Sequence, residues 1–84
     1  MTVTELKRYL LERGLRPNAV SFEGGLLTAA EQHVIEQKAG LWEVYYYERG
    51  NRNNLILFPD ESSACSYLLS ILEKDRTVWQ RGSL

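Results

Sequence analysis

The sequence predicts an α+β domain in the order α-β-β-β-α, with a three-stranded antiparallel sheet packed on one face by helices. Three observations carry this. The run from Leu41 to Arg49 holds Trp42, Val44 and three tyrosines, residues that fit a pleated, half-buried surface. Short turn signals separate it from apolar runs on either side. Capped amphipathic segments bracket the strands.

The first helix is expected over residues 3–13. Thr2-Val3-Thr4-Glu5 reads as a capping box, in which the hydroxyl and the carboxylate each reach an otherwise unpaired amide. Val3, Leu6, Tyr9, Leu10 and Arg13 follow at helical spacing. Gly14 suits a left-handed cap, and Pro17 stops the helix from resuming. Residues 15–29 receive no regular structure, although Val20 and Phe22 suit an extended segment. Gly24-Gly25 reads as a turn, and Leu26 and Leu27 as residues that could pack under the sheet.

A strand is expected from about Glu31 to Gln37, joined to the Leu41–Arg49 strand by a tight turn at Lys38-Ala39-Gly40. A two-residue loop pairs Ile35 with Val44 and Val34 with Tyr45; a three-residue loop pairs Val34 with Val44. One residue of slip exchanges the faces of the first strand, so the facing of His33 stays open. Gly50-Asn51-Arg52-Asn53 is read as the second turn, Leu55–Phe58 as the third strand, and Pro59 as its stop. Asp60 caps the second helix, with Glu61 in its first turn. Ala64, Leu68, Ile71 and Leu72 form its buried stripe, with Cys65 or Tyr67 on the flank. The domain spans residues 1–76, and residues 77–84 form a tail from which Trp79 can fold back.

Eighty-four residues make one domain with a modest core, for which 44% apolar content supplies the material. Ten basic residues face eleven acidic ones, a net charge of −1. The balance holds in both halves of the chain, whereas nucleic-acid binders usually present a lopsided basic surface. Cys65, the single cysteine, staples nothing. No apolar stretch reaches membrane-spanning length, and the amino-terminal residues lack a signal-peptide core. A cytosolic protein that makes no membrane contact and needs no cofactor is expected.

No catalytic constellation emerges. His33 would need an orienting acid and a nucleophile, and Cys65 reads as a buried structural thiol. One histidine and one cysteine do not make a zinc site. Asp60 and Glu61 are accounted for by capping, and Gly24-Gly25 precedes no phosphate-binding signature. Strand alternation is more informative. It sends Trp42, Val44 and Tyr46 towards the helices, and Glu43, Tyr45, Tyr47 and Arg49 to the uncovered face. Tyrosines flanked by charge are the chemistry of protein interfaces, so these four residues, with Glu48 and Arg52 nearby, are the candidate contacts. Simple cross-strand packing is the alternative reading of the tyrosines.

The run Gly40-Leu-Trp-Glu-Val-Tyr-Tyr-Tyr-Glu-Arg-Gly50, then Leu55-Ile-Leu-Phe58, then Asp60-Glu61-Ser-Ser-Ala-Cys65-Ser-Tyr-Leu-Leu69, resembles small bacterial immunity proteins of polymorphic and contact-dependent toxin systems. The resemblance covers roughly residues 24–74. It implies a protein that binds a cognate toxin domain and blocks it, with no catalytic residues to carry over. Two other expectations stand beside it. One is a non-enzymatic adaptor or homodimeric module; the other is single-strand nucleic-acid binding through Tyr47, Arg49, Arg52, Asn53 and Asn54.

Overall fold

The computed structural model describes residues 1–22 and 31–80. The predicted Gly24-Gly25 turn and the placement of Leu26 and Leu27 lie outside them. The elements are α1 (Val3–Glu12), β1 (Val20–Ser21), β2 (Glu31–Lys38), β3 (Leu41–Glu48), β4 (Asn51–Phe58), α2 (Glu61–Lys74) and a 3-10 turn (Arg76–Val78). The class is α+β, as the sequence predicts. The sheet has four strands in the order β1-β2-β3-β4, not three. β1 is added parallel to β2, with Val20 opposite His33 and Ser21 opposite Val34. Two residues carry no readable period, which is why the segment passes for a loop.

Both hairpins turn on two residues. Ala39 and Gly40 have φ of 53° and 82°, Arg49 and Gly50 of 48° and 86°, the all-positive signature of the mirror-image turn that matches strand twist. The first turn selects the register Ile35–Val44 and Val34–Tyr45. The second corrects the expected turn at Gly50–Asn53: Arg49 belongs to the turn, and β4 begins at Asn51. Asn54, at φ 56°, is the extra residue that shifts the β3–β4 register between Val44 and Tyr46. That bulge keeps Ile56 and Phe58 in phase with Val44 and Trp42.

α2 lies across β2, β3 and β4, and α1 packs on α2. Their common core includes Val3, Leu6, Leu10, Ala64, Cys65, Leu68 and Leu72, which meet Val20, Ile35 and Val44 from the sheet. Tyr9 stays exposed and stacks with Arg13, and Ile71 and Tyr67 sit at the margin. The predicted caps are present. Thr2 and Glu5 close the box on α1, and Asp60 Oδ1 accepts from Ser63 N at 2.7 Å. Glu61 does more than sit in a first turn: its Oε2 accepts from Val3 N at 2.7 Å, so α2 satisfies an amide at the start of α1.

The expected tail is partly body. Val78 is buried, Leu15 bridges to Trp79, and Trp79 Nε1 donates to Leu72 O at 3.0 Å. Arg16 N donates to Val78 O at 2.8 Å, and Gln80 N to Gly14 O at 2.7 Å. A half-buried tryptophan with a satisfied N–H anchors residues 77–80 to the body, where the sequence leads one to expect a tail.

Candidate functional site

β3 divides its side chains as alternation requires. Trp42 and Val44 enter the core, and Tyr46 packs at 4.9 Å from the His33 ring. Glu43, Tyr45 and Tyr47 take the face turned from α2, and register adds Glu36 from β2 and Arg52, Leu55 and Leu57 from β4. Of the expected contacts, Glu43, Tyr45, Tyr47 and Arg52 are therefore brought together. Arg49 lies in the exposed second turn, and Glu48 at the far end of β3, exposed and paired with Glu31.

Arg52 organises this face. Its guanidinium lies 5.1 Å from the Tyr45 ring centroid, a cation–π distance. Arg52 Nη1 stands 3.9 Å from Glu43 Oε1. The Tyr45 hydroxyl donates to Glu36 Oε2 at 3.0 Å. Burial, reinforced by that carboxylate, pushes the phenol up to about 12. Tyr45 is only 4% exposed, so the face is less open than its alternation suggests. Glu36 and Glu43 stand directly opposite each other, an arrangement that like charges disfavour. Arg52 answers Glu43, and Lys38 shares the face with Glu36. Glu43 Oε1 is buried and accepts no hydrogen bond. One acceptor atom, Glu43 Oε1, is thus left without a hydrogen-bond partner beside the held arginine.

Beside it runs an apolar margin. Leu55, Ile56 and Leu57 are 39%, 37% and 51% exposed, and β4 is the last strand of the sheet. The sequence reading missed this, because a continuous apolar run resembles a buried strand. It also missed Glu36, whose place opposite Glu43 follows only once the two-residue turn is known.

A second cluster surrounds His33, on the helix side and buried. His33 Nε2 lies 3.1 Å from Asp75 Oδ2. Asp75 Oδ1 accepts from Thr77 N at 2.9 Å and from its hydroxyl at 2.6 Å. These groups, with Arg16, Glu31 and Tyr46, border a cleft of about 280 Å³. Asp75 supplies the orienting acid that His33 lacks in the sequence. The neighbouring hydroxyls are occupied, however: Thr77 donates to Asp75 and Tyr46 to Glu31. Cys65 sits in the core and borders neither cleft lined by His33. Burial pushes its thiol up, away from the reactive thiolate. Among the described residues no group of three or more His, Cys, Asp or Glu is placed to hold a metal ion. None of the described helices is long and apolar enough to cross a membrane.

No protein-family model, curated protein or solved structure matches the chain.

Proposed function

We propose that the chain acts by binding another protein through the β3–β4 face, and that the partner is a toxin domain which it neutralises. The observation that supports binding is the Arg52 cluster. A half-exposed arginine is held by a tyrosine ring and a carboxylate, between Tyr47 and the exposed Leu55 and Leu57. Arginine, tyrosine and a neighbouring apolar margin are what binding energy concentrates on. Holding the arginine in place beforehand lowers the ordering cost of association. With Lys38 and Arg52 set against Glu36 and Glu43, the face is of mixed and balanced charge, which favours a partner whose charges are likewise mixed and placed to match. A balanced face lacks the basic excess that a phosphate backbone calls for. The toxin assignment rests on the resemblance in residues 24–74.

Tyr45→Ala is a poor probe, because removing a buried aromatic costs about 3–5 kcal/mol of stability by itself. Arg52→Glu and Tyr47→Ala leave the core intact. Tagged chain from its native cells should retain one dominant protein, which both variants lose by on the order of tenfold or more in affinity. Expression of that protein alone should arrest growth, and co-expression with the wild-type chain should restore it. Retention unchanged in both variants would remove this face from the binding site. A captured partner without toxicity would end the neutralisation reading.

A further inference from the structure

We propose that two copies of the chain pair antiparallel along β4, joining their sheets about a two-fold axis at Ile56. Hydrogen-bond parity fixes which backbone groups of β4 face outward. A two-residue hairpin closes on a hydrogen-bonded pair, and such pairs alternate along an antiparallel ladder. The turn at Ala39-Gly40 therefore points the amides of Leu41, Glu43, Tyr45 and Tyr47 at β2. The turn at Arg49-Gly50 points those of Glu48, Tyr46, Val44 and Trp42 at β4. Since Val44 opposes Ile56 and Trp42 opposes Phe58, Ile56 and Phe58 direct their N–H and C=O groups inward. Leu55 and Leu57 direct theirs outward, from the last strand of the sheet.

These outward groups are self-complementary. A two-fold at Ile56 sets Leu55 of one copy opposite Leu57 of the other, and the reverse. Four backbone hydrogen bonds form, and four leucine side chains meet on one sheet face. They are among the most exposed apolar residues described. The antiparallel arrangement also carries the Arg52 end of each strand towards the Asp60-Glu61 end of its mate, opposite charge to opposite charge. Edges are usually guarded by charge, proline or a bulge. Here the bulge at Asn54 and the proline at position 59 bound the segment but leave Leu55–Phe58 without a charge. A symmetric pairing of this kind closes on itself and does not propagate.

The test uses the isolated full chain, so its failure leaves the partner-binding proposal standing. Sedimentation across micromolar to submillimolar concentration should show a monomer–dimer equilibrium. Leu57→Pro removes an amide that β3 does not use, and Leu57→Lys places a charge beside the two-fold, against Leu55 of the mate. Each should raise the dimer Kd on the order of a hundredfold, because the symmetry repeats every loss, with an unchanged circular dichroism spectrum. Amide exchange supplies a readout independent of variants. Leu55 and Leu57 should become protected only as concentration rises, and Ile56 should be protected throughout. A monomer at every concentration, or a dimer indifferent to both substitutions with Leu55 and Leu57 still exchanging fast, would overturn the proposal.

Discussion

At the scale of single residues, Tyr45 shows how one side chain joins stability to recognition. Its ring carries Arg52, its hydroxyl answers Glu36, and its burial keeps the phenol protonated to about pH 12. The folded state thus holds this proton more tightly than the unfolded chain, whose tyrosine titrates near 10. The resulting stability is fully present below about pH 10 and is lost as pH rises from there through about 12. An ultraviolet phenolate titration should show a late phase that Tyr45→Phe diminishes, the remainder belonging to Tyr46, which burial and Glu31 also push up. Tyr45→Phe should also cost about 1.5–3 kcal/mol at neutral pH, one hydrogen bond to a carboxylate being lost while the ring remains. A titration in which all tyrosines ionise together near 10 would show that the buried contact with Glu36 does not persist in solution.

At the scale of elements, the length of β3 decides the sheet. Eight residues between two two-residue turns place the closing pairs at opposite parity, so alternate amides of β3 serve β2 and β4, and the Asn54 bulge takes up the shift in the β3–β4 register. This much is legible in sequence: the aromatic strand, both helices with their caps, and the inward Trp42 and Val44 follow from period and capping alone. What escaped was set by turn chemistry. Arginine and alanine are unusual first residues of a mirror-image turn, where asparagine or glycine is the common signal, so the sequence pattern sets the second turn one residue late and leaves Arg49 on the strand. Asn54, which tolerates positive φ well, was the readable sign of the bulge. Ala39 therefore sits strained at φ 53°, a conformation costing a non-glycine residue about 1–2 kcal/mol. Glycine there gives back roughly 0.5–1 kcal/mol through its freer unfolded chain. Ala39→Gly should still gain about 0.5–1 kcal/mol, seen as a rise of about 3–6 °C in Tm. Ala39→Val should lower Tm, since a β-branched residue at positive φ is a true outlier. Equal Tm values for the two variants would mean that the turn is not of this type.

At the scale of the whole molecule, Asp75 is where separate parts of the chain are fastened. It ends α2, caps the 3-10 turn through Thr77, and reaches His33 on β2. The segment it launches then seats Val78 and Trp79 against Leu15, beyond the end of α1. No local pattern announces this contact, because His33 and Asp75 are 42 positions apart. Burial acting alone would raise the Asp75 carboxyl, but hydrogen bonds from Thr77 and His33 outweigh it and hold the group below its ordinary value. A depressed folded value means that the carboxylate stabilises the fold above the unfolded value, near 4, and that this contribution is lost as pH falls through the folded one. Asp75→Asn should therefore be less stable than wild type at pH 7 by about 1.5–3 kcal/mol, the range for hydrogen bonds to a charged group. The gap should narrow below about pH 4 as the wild-type carboxylate takes up its proton. Urea midpoints measured at several pH values between 7 and 2 distinguish the cases. A gap of constant size would mean that Asp75 acts through shape alone, and that its charge does not fasten α2, β2 and the closing segment together.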